Sequence, residues 1–384
     1  MRTSTLLAFD HYVGGFLLLA AKPFVFVAGR LLHRDHALEP KGDILVLKLL
    51  GTGSIFIALP NILGLRKKYP DRKIKLLTTK SVADFINPLG LFDEIYLIDN
   101  RNVLSLVGSA LSSLLSLSGI DTVIDLEVYS RAATLFAVFL GARNRLAFFI
   151  DEPFWKRNIA THLLFFSKST AVHDYYDQLF GLLEANPVST PEMRDYLLRD
   201  SKSSSVGKTG KHICIGHACS DNAPERQLSP QSWANVLSRH FSSQDGLTIE
   251  IMGGVNDHPF GEKIATALRA ALPAARVMNS CGAYQPRQVI EVLEKADEFW
   301  GIDSLLLHVA RCLGRPTTSF WGPSAPQTRM RDVTDKDKVY YEPIICSPCV
   351  HSAIVAPCHG NNICIQRITG IERALHEKPR WLIS

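Results

Sequence analysis

Short apolar runs alternate with helical stretches along most of this chain. Runs at 44–48, 73–78, 94–98, 122–126 and 144–148 read as strands, with helical stretches such as 55–69 and 131–140 between them. That alternation predicts parallel sheets covered by helices, since parallel neighbours need a crossover. A polar run at 199–211 (RDSKSSSVGKTGK) then interrupts the pattern, and its Ser, Gly and Lys content marks a linker. Beyond it the alternation restarts. Strands are expected at 212–216, 247–252, 276–279, 298–302 and 317–321, and helices at 231–241, 259–271, 286–295 and 304–313.

Two such series predict an α/β chain of two Rossmann-like domains whose parallel sheets face a cleft. Ligands in open α/β sheets sit beyond the carboxyl ends of the strands, so the informative residues should follow strands. The expected organisation is an apolar membrane-interfacial segment at 1–40, an acceptor domain at 41–200, a donor domain at 201–345 and a tail at 346–384.

The N-terminal segment departs from this pattern. Its apolar stretch, 5–32, is broken by Asp10 and by Lys22-Pro23, and basic residues follow at Arg30, His33 and Arg34. The cleanest run, 12–21, is half a membrane span. Asp10 and the lack of a small-residue cleavage site argue against a signal peptide. The pattern favours an anchor lying in the membrane interface over a helix packed on the protein itself.

Composition narrows the picture modestly. With 384 residues, 46% apolar and 21% charged, the chain can bury two cores. A net charge of +5 suits anionic substrates or an anionic membrane surface, and is too small to argue for nucleic acid.

The densest chemistry lies in ADEFWGIDSLLLHVARCLGRPTTSFWGPSAP, residues 296–326. A strand ends at Asp303-Ser304 and a helix begins there. The free amides of a first helical turn, with the positive end of the dipole, form an anion site for a diphosphate. His308 lies about one turn on. A second strand ends in Trp321-Gly322-Pro323-Ser324, a turn that exposes backbone. On the residues alone Asp303-Ser304 fits an ordinary helix cap as well as a phosphate site, and a lone histidine such as His308 is more often a core residue.

This stretch resembles the hallmark of glycosyltransferase family 9, the ADP-heptose:lipopolysaccharide heptosyltransferases. Asp303, Ser304, His308, Gly314, Pro316, Gly322, Pro323 and Ser324 fall on its pattern, while Leu305 replaces the usual glycine. ILVLKLLGTGSIFIALPNI resembles the family's first strand, glycine loop and helix; VIDLEVYSRAA resembles its acceptor-side segment; and APERQLSPQSWANVL resembles its donor-phosphate region. The resemblance implies a GT-B fold and a metal-independent, inverting transfer from a nucleotide sugar, ADP-heptose being the family donor. The acceptor would be a lipid-linked saccharide such as lipopolysaccharide core, handled in the cytoplasm at the inner-membrane surface. It also implies roles. Ser304, Leu305, Asp303, His308 and Arg226 would bind the donor phosphates. Gly53 and Arg131 would lie on the acceptor side, and Asp257, in IMGGVND, near the nucleoside, where a plain loop aspartate is the commoner reading of the residue itself.

One position breaks the pattern. The family places an Asp, its proposed base, after the loop glycine, and this chain has Ser54 there. A serine hydroxyl is no general base near neutral pH. Three explanations stay open. Glu127, or else Asp151 or Glu152, supplies the base; leaving-group stabilisation supplies most of the acceleration; or the chain is a non-catalytic homologue that binds sugar nucleotide or glycolipid.

Cys346, Cys349, Cys358 and Cys364 cluster in the tail. A structural zinc, with His351 and His359 as rival ligands, a labile disulfide, and simple packing are the three readings. A reducing cytoplasm disfavours the disulfide. No Asp-x-Asp follows a strand, so no catalytic metal or other cofactor is called for. The tail is expected to cross back over the first domain, as the resemblance implies.

Overall fold

The computed structural model describes residues 10–32, 35–117, 119–150, 153–201, 210–219, 223–241, 245–350, 356–358 and 360–368. The chain divides into two compact units, Met1–Val188 and Ser189–Ser384.

In the first unit six strands form one parallel sheet: β1 Asp43–Leu47, β2 Ile74–Thr79, β3 Glu94–Ile98, β4 Ile120–Asp125, β5 Asn144–Phe149 and β6 His162–Phe165. Their order is β3-β2-β1-β4-β5-β6. β1 and β2 are buried almost throughout, as a sheet covered on both faces requires. Chain order reverses between β1 and β4, so the connections leaving their carboxyl ends run to opposite sides and open a crevice there.

The second unit repeats the scheme with β7 His212–Gly216, β8 Thr248–Met252, β9 Arg276–Asn279, β10 Glu298–Ile302, β11 Thr317–Trp321 and β12 Asp337–Tyr341. The order is β12-β11-β10-β7-β8-β9, again all parallel, and the reversal falls between β7 and β10. Trp233, Trp300 and Phe320 fill its core.

Several details differ from the sequence reading. The units part at Val188, ahead of the polar run, because the helix Thr190–Leu198 belongs to the second unit, where Arg194 pairs with Glu294 at 2.5 Å. The single helix expected at 55–69 is two, Thr52–Ile57 and Leu59–Lys68, joined at Ala58 just before Pro60. The described tail packs within the second unit, where Ile365 and Ile368 join the core; residues 369–384 lie outside the described residues.

The N-terminal segment forms a π-helical turn, Asp10–Gly14, and a helix, Gly15–Leu32. Its Leu18 is fully buried with Leu135 and Ile159 of the first unit. Asp10 caps the helix Arg131–Phe139, accepting from the Arg131 and Ala132 amides at 2.8 and 2.7 Å. Lys22 donates to the Phe154 carbonyl. The stretch Tyr12–Leu31 is long and apolar enough to cross a bilayer, more than its interrupted pattern suggested.

Gly64 shows how tightly the first unit is built. A Cβ there would stand 1.9 Å from the Asn186 carbonyl oxygen. Backbone cannot yield as a side-chain tip can, so Gly64→Ala is expected to lose at least about 1–3 kcal/mol. Urea unfolding of the two proteins measures this, and equal midpoints would refute the contact.

Candidate donor and acceptor sites

At the β1/β4 reversal the chain leaves β1 through Lys48, Leu49 and Leu50 and enters a helix at Thr52. Gly51 makes the turn with φ +85°, a left-handed conformation open to glycine. Gly53 lies in the first turn of the helix. Ser54 is its third residue, with its amide bonded to the Gly51 carbonyl at 2.9 Å, and Gly51 stands at the cap position.

Glu127 comes to this loop from β4. Its Oε1 accepts the Leu49 and Leu50 amides at 2.7 and 3.1 Å and lies 3.2 Å from Lys48 Nζ. It therefore ties the two crevice loops together. Beneath it the buried Asp125 accepts from the Glu127 amide and from Thr134 Oγ1, each at 2.9 Å, with Lys156 Nζ 3.7 Å away. Burial raises the Asp125 carboxyl above its ordinary range, against the opposing pull of Lys156. Lys156 also donates to the Glu127 carbonyl at 3.3 Å. The structure gives Arg131 to the N-terminal segment: its guanidinium stacks on Trp155 at 3.9 Å, and a Cβ on Gly15 would come within 2.6 Å of it. Asp151 and Glu152 lie outside the described residues.

In the second unit Asp303, Ser304, His308 and Arg226 do come together, at the β7/β10 reversal. Ser304 is the N-cap of the helix Leu305–Cys312, and the helix opens on the Ser304 and Leu305 amides. The Ser304 hydroxyl makes no cap bond and is buried without a partner. Two more polar atoms share that condition at neighbouring strand ends, Ser324 Oγ after β11 and His217 Nδ1 after β7. Buried polar atoms are normally paired, so these three at neighbouring strand ends make the reversal the candidate ligand site of this unit.

Asp303 is the hub. Arg226 Nη1 donates to its carbonyl at 2.6 Å and lies 3.5 Å from Oδ2, and His308 Nε2 lies 3.4 Å from Oδ1. Burial pushes the Asp303 carboxyl up. The bond from His308 and the charges of Arg226 and Arg329 outweigh that and hold it far below the usual carboxylate range. Burial lowers His308, with Asp303 only partly opposing, so the ring is a neutral donor whose Nε2–H serves Asp303. Sequence reasoning missed Arg329, which sits past the Gly322-Pro323-Ser324 turn outside any recognised spacing.

Asp257 is placed as a loop brace. Its Oδ2 accepts the Gly254 amide at 2.7 Å. The tail holds the Arg226 loop from behind. Asn362 Nδ2 donates to the Glu225 and Gln227 carbonyls at 2.8 and 2.7 Å, on either side of Arg226, and Gln366 Oε1 accepts from Ser232 Oγ at 2.6 Å.

The four tail cysteines are free thiols. Burial raises the Cys349 and Cys364 thiols, Cys364 to about 11, and the neighbouring tail sulfurs add to the effect. Cys364 Sγ packs over Gly322, 2.9 Å from where a Cβ would stand. His351 and His359 lie outside the described residues. Among the described residues, His212, Cys214 and Glu250 form a ligand-type group within 4.8 Å. Its carboxylate is already engaged by His212, Ser280 and Tyr284, which accounts for a buried glutamate as a hydrogen-bonded network.

Two successive all-parallel six-stranded units, each with its candidate residues at the strand-order reversal, define the GT-B class of glycosyltransferase fold. A family model for glycosyltransferase family 9 (heptosyltransferase) matches residues 111–359, and the chain belongs to that family. It is 28% identical over 107 residues to lipopolysaccharide heptosyltransferase 2 of Salmonella typhimurium. That match covers 27% of this chain and 30% of the relative's length. E. coli ADP-heptose lipopolysaccharide heptosyltransferase II has a similar structure, with TM-score 0.58 and 17% identity over 80% of this chain and 92% of that one. A family 9 glycosyl transferase from Veillonella parvula gives TM-score 0.61 and 16% identity, covering 90% of this chain and 100% of that one. E. coli heptosyltransferase WaaC, solved with ADP-2-deoxy-2-fluoro heptose, gives 0.58 and 15%, covering 84% and 97%. At these identities the structural likeness is one of fold.

Proposed function

We propose that this chain transfers a sugar, with heptose the first candidate, from a nucleoside-diphosphate donor to a lipid-linked saccharide of the lipopolysaccharide-core type. The observation that carries the reading is the helix start at Ser304, where amides and an unpartnered hydroxyl meet Arg226 on a carboxylate hub. There the donor diphosphate is held by the Ser304 and Leu305 amides, Arg226 and Arg329. His308 and Asp303 keep that set in place, and Asp257 braces the loop nearest the nucleoside.

The acceptor hydroxyl attacks the anomeric carbon, the bond from that carbon to the diphosphate oxygen breaks, and the nucleoside diphosphate leaves with the electron pair. Negative charge grows on the leaving group, where fixed positive groups count most. The acceptor proton passes to Glu127, whose Oε2 is the oxygen remaining for the task. Gly53 and Ser54 line the acceptor loop, while Arg131 acts through the N-terminal segment. The segment at 1–40 rests in the cytoplasmic membrane interface beside the lipid-borne acceptor, and no cofactor beyond the nucleotide sugar enters the reaction. The tail cysteines act as packing groups under the Gly322 turn.

A second reading has its own support. Ser54 stands where the family has its base, and Glu127 Oε1 is committed to the β1 loop. A homologue that binds sugar nucleotide without turnover fits those two facts. Titration with ADP-, GDP-, UDP- and dTDP-sugars by calorimetry tests the shared part of both readings, with ADP-sugars expected to bind tightest. Failure of all four to bind would end both. Acceptor-dependent release of ADP then separates transferase from binder.

A further inference from the structure

We infer that the helix Val103–Ser116 is a second membrane-docking element of the first unit, on the other side of the helix Arg131–Phe139 from the N-terminal helix; its partner is an anionic phospholipid bilayer. This deepens the proposed action on a lipid-linked acceptor and rests on that reading.

Helix Val103–Ser116 (VLSLVGSALSSLLS) contains no charged residue and carries leucine on both sides. Its inner side is accounted for: Leu106, Ala110 and Leu114 pack on the first unit's core, beside Ala133, Phe136 and Ala137 of the helix Arg131–Phe139. Its outer side is not. Leu104, Leu111 and Leu115 are 86%, 57% and 85% exposed. Their spacing of seven and four residues sets them in one stripe along the helix.

The helix Arg131–Phe139 joins this stripe to the N-terminal segment. Its Leu135 and Val138 pack against Leu18, Ala21 and Val25, so three helices lie side by side over the sheet. On the far flank the N-terminal helix shows Phe16 and Phe24, 71% and 77% exposed. Among the described residues of the second unit, the exposed large apolar side chains are scattered: Val255, Ile345 and Ile363. Apolar exposure is thus concentrated on one unit, beyond the scattered single side chains that need no explanation.

The surroundings favour lipid over a second copy of the chain. Aromatic side chains at Tyr12, Phe16, Phe24 and Phe26, with Lys22 and Arg30 among them, give the N-terminal helix the composition of an interfacial helix on anionic lipid. The outer stripe of Val103–Ser116 is likewise free of charge.

The test is flotation of the full chain with vesicles of phosphatidylethanolamine and phosphatidylglycerol. Leu104→Ser/Leu111→Ser/Leu115→Ser changes surface positions alone and is expected to lower vesicle partitioning at least about tenfold, with ADP binding and the thermal melt unchanged. Partitioning equal to the parent's overturns the inference. So does a fall in oligomer size in the variant without loss of vesicle binding, which would assign the stripe to a second copy. Should the triple variant fold poorly, Leu111→Trp offers a direct reading: brominated lipids are expected to quench the emission added by the new indole, and an added emission that stays unquenched overturns the proposal. ADP-sugar titration of the parent protein stands apart, since its failure would remove the transferase reading and leave the lipid result standing.

Discussion

Asp303→Ala is expected to lose about 3 kcal/mol of stability and to weaken donor binding at least about tenfold. The carboxylate is 5% exposed and gathers Arg226 and His308 around one helix start. Removing it leaves the Arg226 guanidinium beside the positive end of that helix without this counter-charge, and takes from His308 the carboxylate that its Nε2–H serves. Breaking one side of a buried pair is costly because the other side stays desolvated. Urea unfolding reports the loss of stability, and calorimetry with an ADP-sugar the loss of binding. A variant that binds the donor as the parent does would show that the helix start is an ordinary cap.

The same hub makes stability depend on acid in a definite direction. The Asp303 carboxyl titrates lower in the folded chain than in the unfolded one. Its contribution is therefore complete above the ordinary carboxylate value of about 4 and is lost as pH falls below it. His308 is also lowered. Below about 6.5 the unfolded chain takes up a proton that the folded chain refuses, which again removes stability as pH falls. Asp303→Asn is expected to be less stable than the parent at neutral pH, with the gap constant above about pH 4 and narrowing only as pH falls further, as measured by unfolding across that range.

How much of this was legible in the sequence follows from what each element asks of it. Strands buried on both faces, such as β1 and β10, need unbroken apolar runs and announce themselves. β6 and β12 do not: HLLF is only four residues long and partly exposed, and DKVYY opens on two charged residues. Helix Val103–Ser116 escaped because leucine on both faces erases the polar and apolar alternation by which an amphipathic helix is read. At the site, Asp303, Ser304 and His308 share one short segment and were visible as a motif. Arg329 and Lys48 depend on where strand ends converge, which spacing does not encode. The direction of a side chain was equally hidden: Asp257 turning back on Gly254, and Arg131 lying over Trp155, are decided by local packing.

Glu127→Gln is expected to lower kcat by about 10²–10⁴ with little change in stability, whereas Glu127→Ala should lose both. The two substitutions separate the brace that Glu127 forms from the base that it is proposed to be. As a brace, Glu127 needs an oxygen to accept the Leu49 and Leu50 amides at 2.7 and 3.1 Å, and a glutamine carbonyl offers one. As a base it must take a proton from the acceptor hydroxyl, and an amide has no basicity to do so. Alanine removes the oxygen altogether, leaves two amides unpaired in a half-buried loop and takes a carboxylate away from Lys48. Ser54→Ala serves as the control: a hydroxyl that is no base should cost only a few-fold in rate. Equal rates for the parent and Glu127→Gln, measured as acceptor-dependent ADP release, would take proton abstraction away from Glu127. The acceleration would then fall to the positive groups around the leaving diphosphate, and Arg226→Ala would become the substitution with the larger kinetic effect.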